Sequence, residues 1–223
     1  DFGGGGMMLA FGMVCGLLEA QRSGQGQVVD TSMVEGSAAL MAMFYGLRAQ
    51  GMFTDQRGTH MLDTGAHFYD TYETSDGKHV AIGSIETKFY QLLMEKAELD
   101  PEVFKRQLDA KRWPDQKAQL AAVIRTKTRD EWCALMEGTD VCFAPVLSVA
   151  EAPQHPHNVA RGSFVTVEGA VQHRPTPRFS RTASDTPTAA RPPGTDTLAV
   201  LRDCGFTQPQ LDELLASGAI AQL

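Results

Sequence analysis

Apolar positions follow a helical period over much of this chain, and the interruptions mark its joints. Met8, Leu9, Phe11, Met13, Val14, Leu17 and Leu18 surround most of a helical cylinder. They predict a buried helix over 7–22, stopped by Ser23-Gly24 and preceded by a glycine-rich turn over 1–6. The β-branched stretch Gln27-Val28-Val29-Asp30-Thr31-Ser32 predicts a short strand. Helical spacing resumes over 33–48 with Met33, Leu40, Met41, Phe44 and Leu47, and ends near Gly51. Helix, strand and helix in this order point to an α/β layer.

Past a polar connector over 52–65 the period changes. Residues 67–74 and 78–85 read as strands around Ser75-Asp76-Gly77, a hairpin signal because glycine tolerates positive φ. Helical patterns follow over 87–98, 101–108, 115–127 and 129–137, the last with Thr128 as N-cap, and 141–147 is extended. Pro175, Pro177, Pro187, Pro192 and Pro193 among Thr, Ser and Arg give 172–194 the composition of a linker. Helices return over 197–204 and 208–217, where Leu198, Val200, Leu201, Leu211, Leu214 and Leu215 supply an apolar face.

Composition narrows the classes. With 223 residues, 43% hydrophobic and 21% charged, the chain is that of a folded protein, and fibrous, collagenous and disordered classes are excluded. No uninterrupted apolar run is expected to reach the ~20 residues of a bilayer span, and no basic-then-apolar leader opens the chain, so no membrane partner is expected. Cys15, Cys133, Cys142 and Cys204 lack the short paired spacing of zinc or dithiol sites. Buried structural thiols in a reducing compartment, the cytoplasm, are the expectation. A formal charge of -7 argues against a nucleic-acid partner, which requires a basic face. The chain opens Asp1-Phe2-Gly3 without an initiator Met, already in apolar, glycine-rich sequence, and is expected to be a piece of a longer protein.

Two places carry candidate chemistry. Asp1-Phe2-Gly3-Gly4-Gly5-Gly6 opens a helix. Uncovered N–H groups, at Gly3 and Gly4 among others, together with the positive end of the helix dipole favour an anion or a developing oxyanion, with Asp1 beside them as a base. Equally, Asp1 caps the helix and the glycines allow close packing. No Gly-Lys-Ser/Thr follows, so this is not a phosphate loop. In the second place, Ala81-Ile82-Gly83-Ser84-Ile85-Glu86, a strand ends in a carboxylate at a helix start. Glu86 there serves either the helix dipole or a catalytic histidine. The six histidines have no metal spacing: His155 and His157 flank Pro156 in a turn, and His67 and His79 bracket the hairpin as surface or strand-packing residues. The methionines at 7, 8, 13, 33, 41 and 43 fill a core or line a wide apolar groove.

Taken together the segments resemble the α-methylacyl-CoA racemases of the family III CoA-transferase superfamily. The resemblance rests on Asp1-Phe2-Gly3-Gly4-Gly5, Gly24-Gln25-Gly26-Gln27-Val28-Val29-Asp30 with Met33, Leu62-Asp63-Thr64-Gly65-Ala66 with Phe68-Tyr69, and Tyr72-Glu73-Thr74-Ser75-Asp76-Gly77-Lys78. It continues through Gly83-Ser84-Ile85-Glu86, Asp130-Glu131-Trp132, Gly138-Thr139-Asp140-Val141-Cys142, Pro145-Val146-Leu147 and Arg161-Gly162-Ser163-Phe164, all in family order.

By that resemblance the fold is α/β. A Rossmann-like large domain contributes 1–51 and the terminal helices 195–223, a smaller α+β domain spans 66–160, and linkers run over 52–65 and 161–194. The resemblance also implies racemisation at the carbon α to a CoA thioester. Asp1 matches the base on one face of that carbon, and Glu86 matches a glutamate that assists a histidine serving the other face. That histidine precedes the aspartate in the family and has no counterpart among the histidines of this chain, so the isolated chain is expected to be inactive. Tyr69, Gly83 and Ile85 fall near the acyl thioester and Met33 near the acyl chain. No cofactor is implied, since CoA is part of the substrate. The implied partner is a second copy in an interlocked homodimer, with Asp1 and Glu86 meeting across chains. Two alternatives remain open: a CoA transferase using Asp1 as nucleophile, and a non-catalytic domain fragment.

Overall fold

The computed structural model describes residues 1–223, which form two compact units, Asp1–Val146 and Leu147–Leu223. The division falls after Val146, whereas the small-domain span read from the sequence runs to 160.

The first unit opens with helices. A π-helical stretch, Phe2–Met7, runs directly into α1 (Met8–Ser23), so the glycines expected as a turn are already helical. Gly24, at φ 74°, ends α1 in the left-handed conformation that glycine adopts without strain. The expected strand at 27–32 does not form. A strand needs a neighbour to accept its ladder, and this extended segment has none. Helices α2 (Met33–Leu40) and α3 (Ala42–Ala49) divide the single helix predicted over 33–48. The Met41 N–H donates to both Ser37 and Ala38 carbonyls, tightening the turn where Gly36 and Ser37 favour the helix least.

Helix α1 is apolar nearly all round, which predicts burial, yet none of its residues is buried. Such a helix is covered only when elements surround it, and here Val29 meets just one edge, at Gly12 and Gly16. Counted with the π-helical stretch, Phe2–Ser23 is a 22-residue helix in which an 18-residue window reaches a mean hydropathy of 1.4, long and apolar enough to cross a membrane. That corrects the expectation of no such run.

The rest of the first unit builds a closed core. β1 (Tyr69–Glu73), β2 (His79–Gly83) and β3 (Phe143–Val146) form an antiparallel sheet in sequence order, with Tyr69 opposite Gly83 and Ile82 opposite Phe143. The Asp76-Gly77 turn closes the β1–β2 hairpin as predicted, with Gly77 at φ 72°. α4 (Thr87–Lys96), α5 (Pro101–Phe104), α6 (Trp113–Ile124) and α7 (Arg129–Met136) pack with it, burying Phe68, Tyr90, Leu93, Leu120, Ile124 and Trp132. α7 starts at the N-cap expected at Thr128, which is one half of a capping box: its hydroxyl accepts the Glu131 N–H, and Glu131 accepts the Thr128 N–H at 2.8 Å.

His67 belongs to this core and not to the surface. Tyr90 donates its hydroxyl proton to the Phe104 carbonyl at 2.9 Å, so at 2.7 Å it must accept from His67 Nε2. Nδ1 is left buried without a partner, and burial holds the imidazole pKa down at about 4. His79 is exposed, in line with its surface reading.

In the second unit, α8 (Pro156–Arg161) begins where a turn around Pro156 was expected. β4 (Phe164–Val167) and β5 (Ala170–His173) form a hairpin inside the span read as a linker. Its two turn residues, Glu168 and Gly169, both have positive φ, the two-residue turn that suits strand twist. α9 (Thr197–Asp203) and α10 (Gln208–Ala216) follow as predicted.

Candidate functional site

The residues singled out from the sequence fall into two clusters, and the first surrounds the N-terminus. Asp1 is exposed and its side chain makes no capping hydrogen bond, so the carboxylate is not consumed in holding the helix. Gly6 N–H donates to the Asp1 carbonyl at 2.6 Å, and the N–H groups of Phe2, Gly3, Gly4 and Gly5 precede this first helical bond. Close packing is also present. Gly4 is buried against α2, where a Cβ on Gly36 would lie 1.8 Å from the Gly4 carbonyl oxygen. The backbone contact that needs Gly4 leaves Gly3 exposed. Met33 reaches the same stretch, with its Cγ 3.1 Å from where a Cβ of Gly5 would stand. It also lines a shallow depression of about 430 Å³ with Val34, Ser37, Ala38, Met41 and Tyr45. Met33, Met41 and Met43 are exposed and do not fill a core.

The second cluster lies at the end of β2. An open groove of about 470 Å³ runs across the sheet, lined by Leu62, Tyr69, Asp70, Gly83, Cys142 and Phe143 among others. Gly83 sits beneath the Tyr69 ring, where a Cβ would come 3.6 Å from the ring edge. The chain then turns sharply into α4. Gly83 N–H donates to the Cys142 carbonyl at 2.8 Å, and the Ser84 hydroxyl, fully buried, donates to the Val141 carbonyl. Ile85 packs against the core, and Glu86 stands at the N-cap position of α4. Its carbonyl accepts the Phe89 and Tyr90 N–H groups, but its carboxylate is exposed, caps nothing and has no ion-pair partner. The helix-start role thus falls to the Glu86 backbone and leaves the side chain available for chemistry.

Cys142, which sequence reasoning placed among buried thiols, is exposed at this groove. Local burial and then the charge of Glu86 push its thiol pKa up. Cys15 and Cys204 are exposed as well, and Cys133 is half-buried with its thiol pushed up to about 11, chiefly by burial. Asp70 was also missed: it lines the groove and pairs with Lys117, whose ammonium also donates to the Thr64 carbonyl. Nothing in the local sequence announces Asp70 or Cys142, because each joins the groove through strand pairing. Leu62-Asp63-Thr64-Gly65 does have a local cause. The His60 carbonyl accepts both the Asp63 and Gly65 N–H groups, and Asp63 accepts the Gly58 N–H at 2.7 Å, which folds the loop and places Leu62 and Thr64 at the groove.

The structure thus brings Tyr69, Gly83, Ile85 and Glu86 together, and separately Asp1, Gly3, Gly4 and Met33. No hydrogen bond or ion pair joins Asp1 to Glu86.

Comparison with known proteins gives this arrangement its relatives. The profile of CoA-transferase family III matches residues 1–197. An α-methylacyl-CoA racemase from Mus musculus is 44% identical over 217 residues, 96% of this chain and 57% of the relative. The Homo sapiens α-methylacyl-CoA racemase is 40% identical over 96% of this chain and 56% of its own length. A CAIB/BAIF family protein from Brucella suis shares the fold with a TM-score of 0.60 at 21% identity, over 84% of this chain and half of that one. The chain spans little more than half the length of the curated relatives it matches, and it belongs to CoA-transferase family III, with α-methylacyl-CoA racemases among its homologues.

Proposed function

We propose that this chain is part of an isomerase that interconverts the R and S forms of a 2-methylacyl-CoA thioester by removing and returning the α-proton. The observation that carries the reading is 44% identity to a racemase across 96% of the chain, far above what a shared fold alone requires.

The reaction needs a base on each face of the α-carbon and donors for the thioester oxygen, because such a proton is too weakly acidic to leave unaided. Asp1 supplies one base, with an uncommitted carboxylate beside N–H groups that precede the first helical bond. Those donors, Gly3 among them, stabilise the developing enolate oxygen. Glu86 supports the second base, the histidine that the family places ahead of the aspartate. The 223 residues alone carry one base of the two and do not turn over by themselves. Tyr69, Gly83 and Ile85 flank the thioester, and Met33 meets the acyl chain, its flexible thioether adapting to branched groups. CoA enters as part of the substrate, with no further cofactor invoked.

The wider reading is a cytoplasmic homodimer whose subunits bring Asp1 and Glu86 together across chains. Four cysteines without a disulfide fit a reducing compartment. The exposed apolar residues of α1 and α2 fit a surface that a second subunit covers. The Gly12 and Gly16 contacts with Val29 support a reading in which α1 packs on protein.

The test is incubation of the protein expressed from its complete gene with either epimer in D2O. Deuterium enters the α-carbon and the epimers equilibrate with no acid acceptor present, and Asp1→Asn lowers the rate by about 10²- to 10⁴-fold. Exchange of CoA that requires a free carboxylic acid, with a trappable aspartyl thioester that Asp1→Asn abolishes, would establish a transferase instead.

A further inference from the structure

Glu86 has no side-chain partner, so its position depends on the backbone turn beneath it. That turn, Gly83-Ser84-Ile85, leaves two successive carbonyls, Ser84 and Ile85, outside the sheet ladder. Both are taken by one side chain. The Gln107 amide donates to the Ser84 carbonyl at 3.0 Å and to the Ile85 carbonyl at 2.8 Å, spending its two N–H donors on the residues just before Glu86. Gln107 lies in the loop between α5 and α6 and is half-buried. Its own backbone is anchored: the Trp113 indole N–H donates to the Gln107 carbonyl at 2.8 Å, and Trp113 is part of the buried core. A continuous path therefore runs from the core through Trp113 and Gln107 to the turn that carries Glu86.

A clamp of this kind is more than packing needs. Ser84 and Gly83 are already tied to the β3 side through the Val141 and Cys142 carbonyls. Gln107 adds restraint from a second element, the loop between α5 and α6, at a turn whose Ile85 N–H bonds only two residues back, to Gly83. Restraint from two elements fixes the direction in which the chain enters α4, and with it where the Glu86 carboxylate stands. We propose that Gln107 is a positioning residue for Glu86, acting through the Ser84 and Ile85 carbonyls and touching no substrate itself. This rests on the reading in which Glu86 assists proton transfer.

The experiment is a double-mutant cycle in the protein expressed from its complete gene, followed by α-proton exchange in D2O. Gln107→Leu keeps much of the volume and removes the amide donors; Gln107→Met replaces it should the leucine variant fail to fold. The expected result is a fall in kcat of about 10- to 100-fold with KM changed less than about twofold. The effect disappears when Glu86→Gln is already present, because Gln107 then has nothing left to position. Losses that multiply in the double variant, or a Gln107 variant as active as the parent while Glu86→Gln is impaired, overturn the role of Gln107 and leave that of Glu86 standing. A Glu86→Gln protein with unchanged exchange overturns the reading of Glu86, and the positioning role with it.

Discussion

Helix α1 is more apolar than α7, yet α1 buries none of its residues while α7 buries Arg129, Trp132 and Met136. The difference lies in the neighbours. α7 is held along its first half: the Thr128 capping box sets its start, the Trp132 indole N–H donates to the Ile124 carbonyl at 2.7 Å, and Arg129 donates to the Val146 carbonyl at 2.9 Å. α1 meets Val29 along one edge and the π-helical stretch at its start. Residues 66–146 thus form a core closed by their own contacts, whereas 1–51 hold their local helices and leave Phe11, Leu17 and Met33 in solvent. Apolar content states a demand for burial, and only the arrangement of other elements meets it.

The contrast predicts an ordered set of effects in the 223-residue chain. Trp132→Ala, in the closed core, lowers stability by about 3–5 kcal/mol in denaturant unfolding followed by circular dichroism. Phe11→Ala, at a position 69% exposed, changes it by less than about 0.5 kcal/mol, and a large Phe11 effect would mean that α1 is covered after all.

Next in size is a pH effect confined to the core. His67 stays neutral in the fold down to about pH 4, while in the unfolded chain it protonates near 6.5. Between these values the unfolded state binds more protons, so stability falls as pH drops through the window, by up to about 3 kcal/mol, and is fully retained above it. A His67→Phe variant flattens that slope when unfolding is measured from pH 7 to 4; an unchanged slope would place its origin elsewhere.

Gly36→Ala drives a methyl into the Gly4 carbonyl and costs about 1–3 kcal/mol of local stability, read as faster hydrogen exchange over 1–40 with 66–146 unaffected. Gly46→Ala, in α3 with open space around it, serves as the control and stabilises by up to about 1 kcal/mol. Smallest is Thr128→Ala, which removes the cap of α7 at a cost of about 1 kcal/mol, again by denaturant unfolding.

Much of the candidate site is legible in residue order. Asp1, its glycines and Glu86 stand out because a carboxylate at a helix start is a local pattern, and the Asp76-Gly77 hairpin that sets Tyr69 opposite Gly83 is equally local. The β4–β5 hairpin was also within reach: Val165-Thr166-Val167 and Ala170-Val171 flank Glu168-Gly169, a signal masked by the neighbouring prolines. By contrast, no local pattern reveals that His67 is buried, that Cys142 faces the groove beside Glu86, or that Gln107 holds the turn before Glu86 from more than twenty residues away.

By itself the sequence determined the elements whose causes lie within a few residues: the stop of α1 at Gly24, the Thr128 cap, the hairpin at Gly77 and the helices over 87–136. Capping and turn formation act between near neighbours, so residue order suffices for them. Tertiary structure decided which apolar surfaces are covered, which side chains share the groove, and which carboxylates stay free. Burial and long-range hydrogen bonding depend on partners that residue order does not bring near, and the exposed α1 beside the sealed α7 is the direct result.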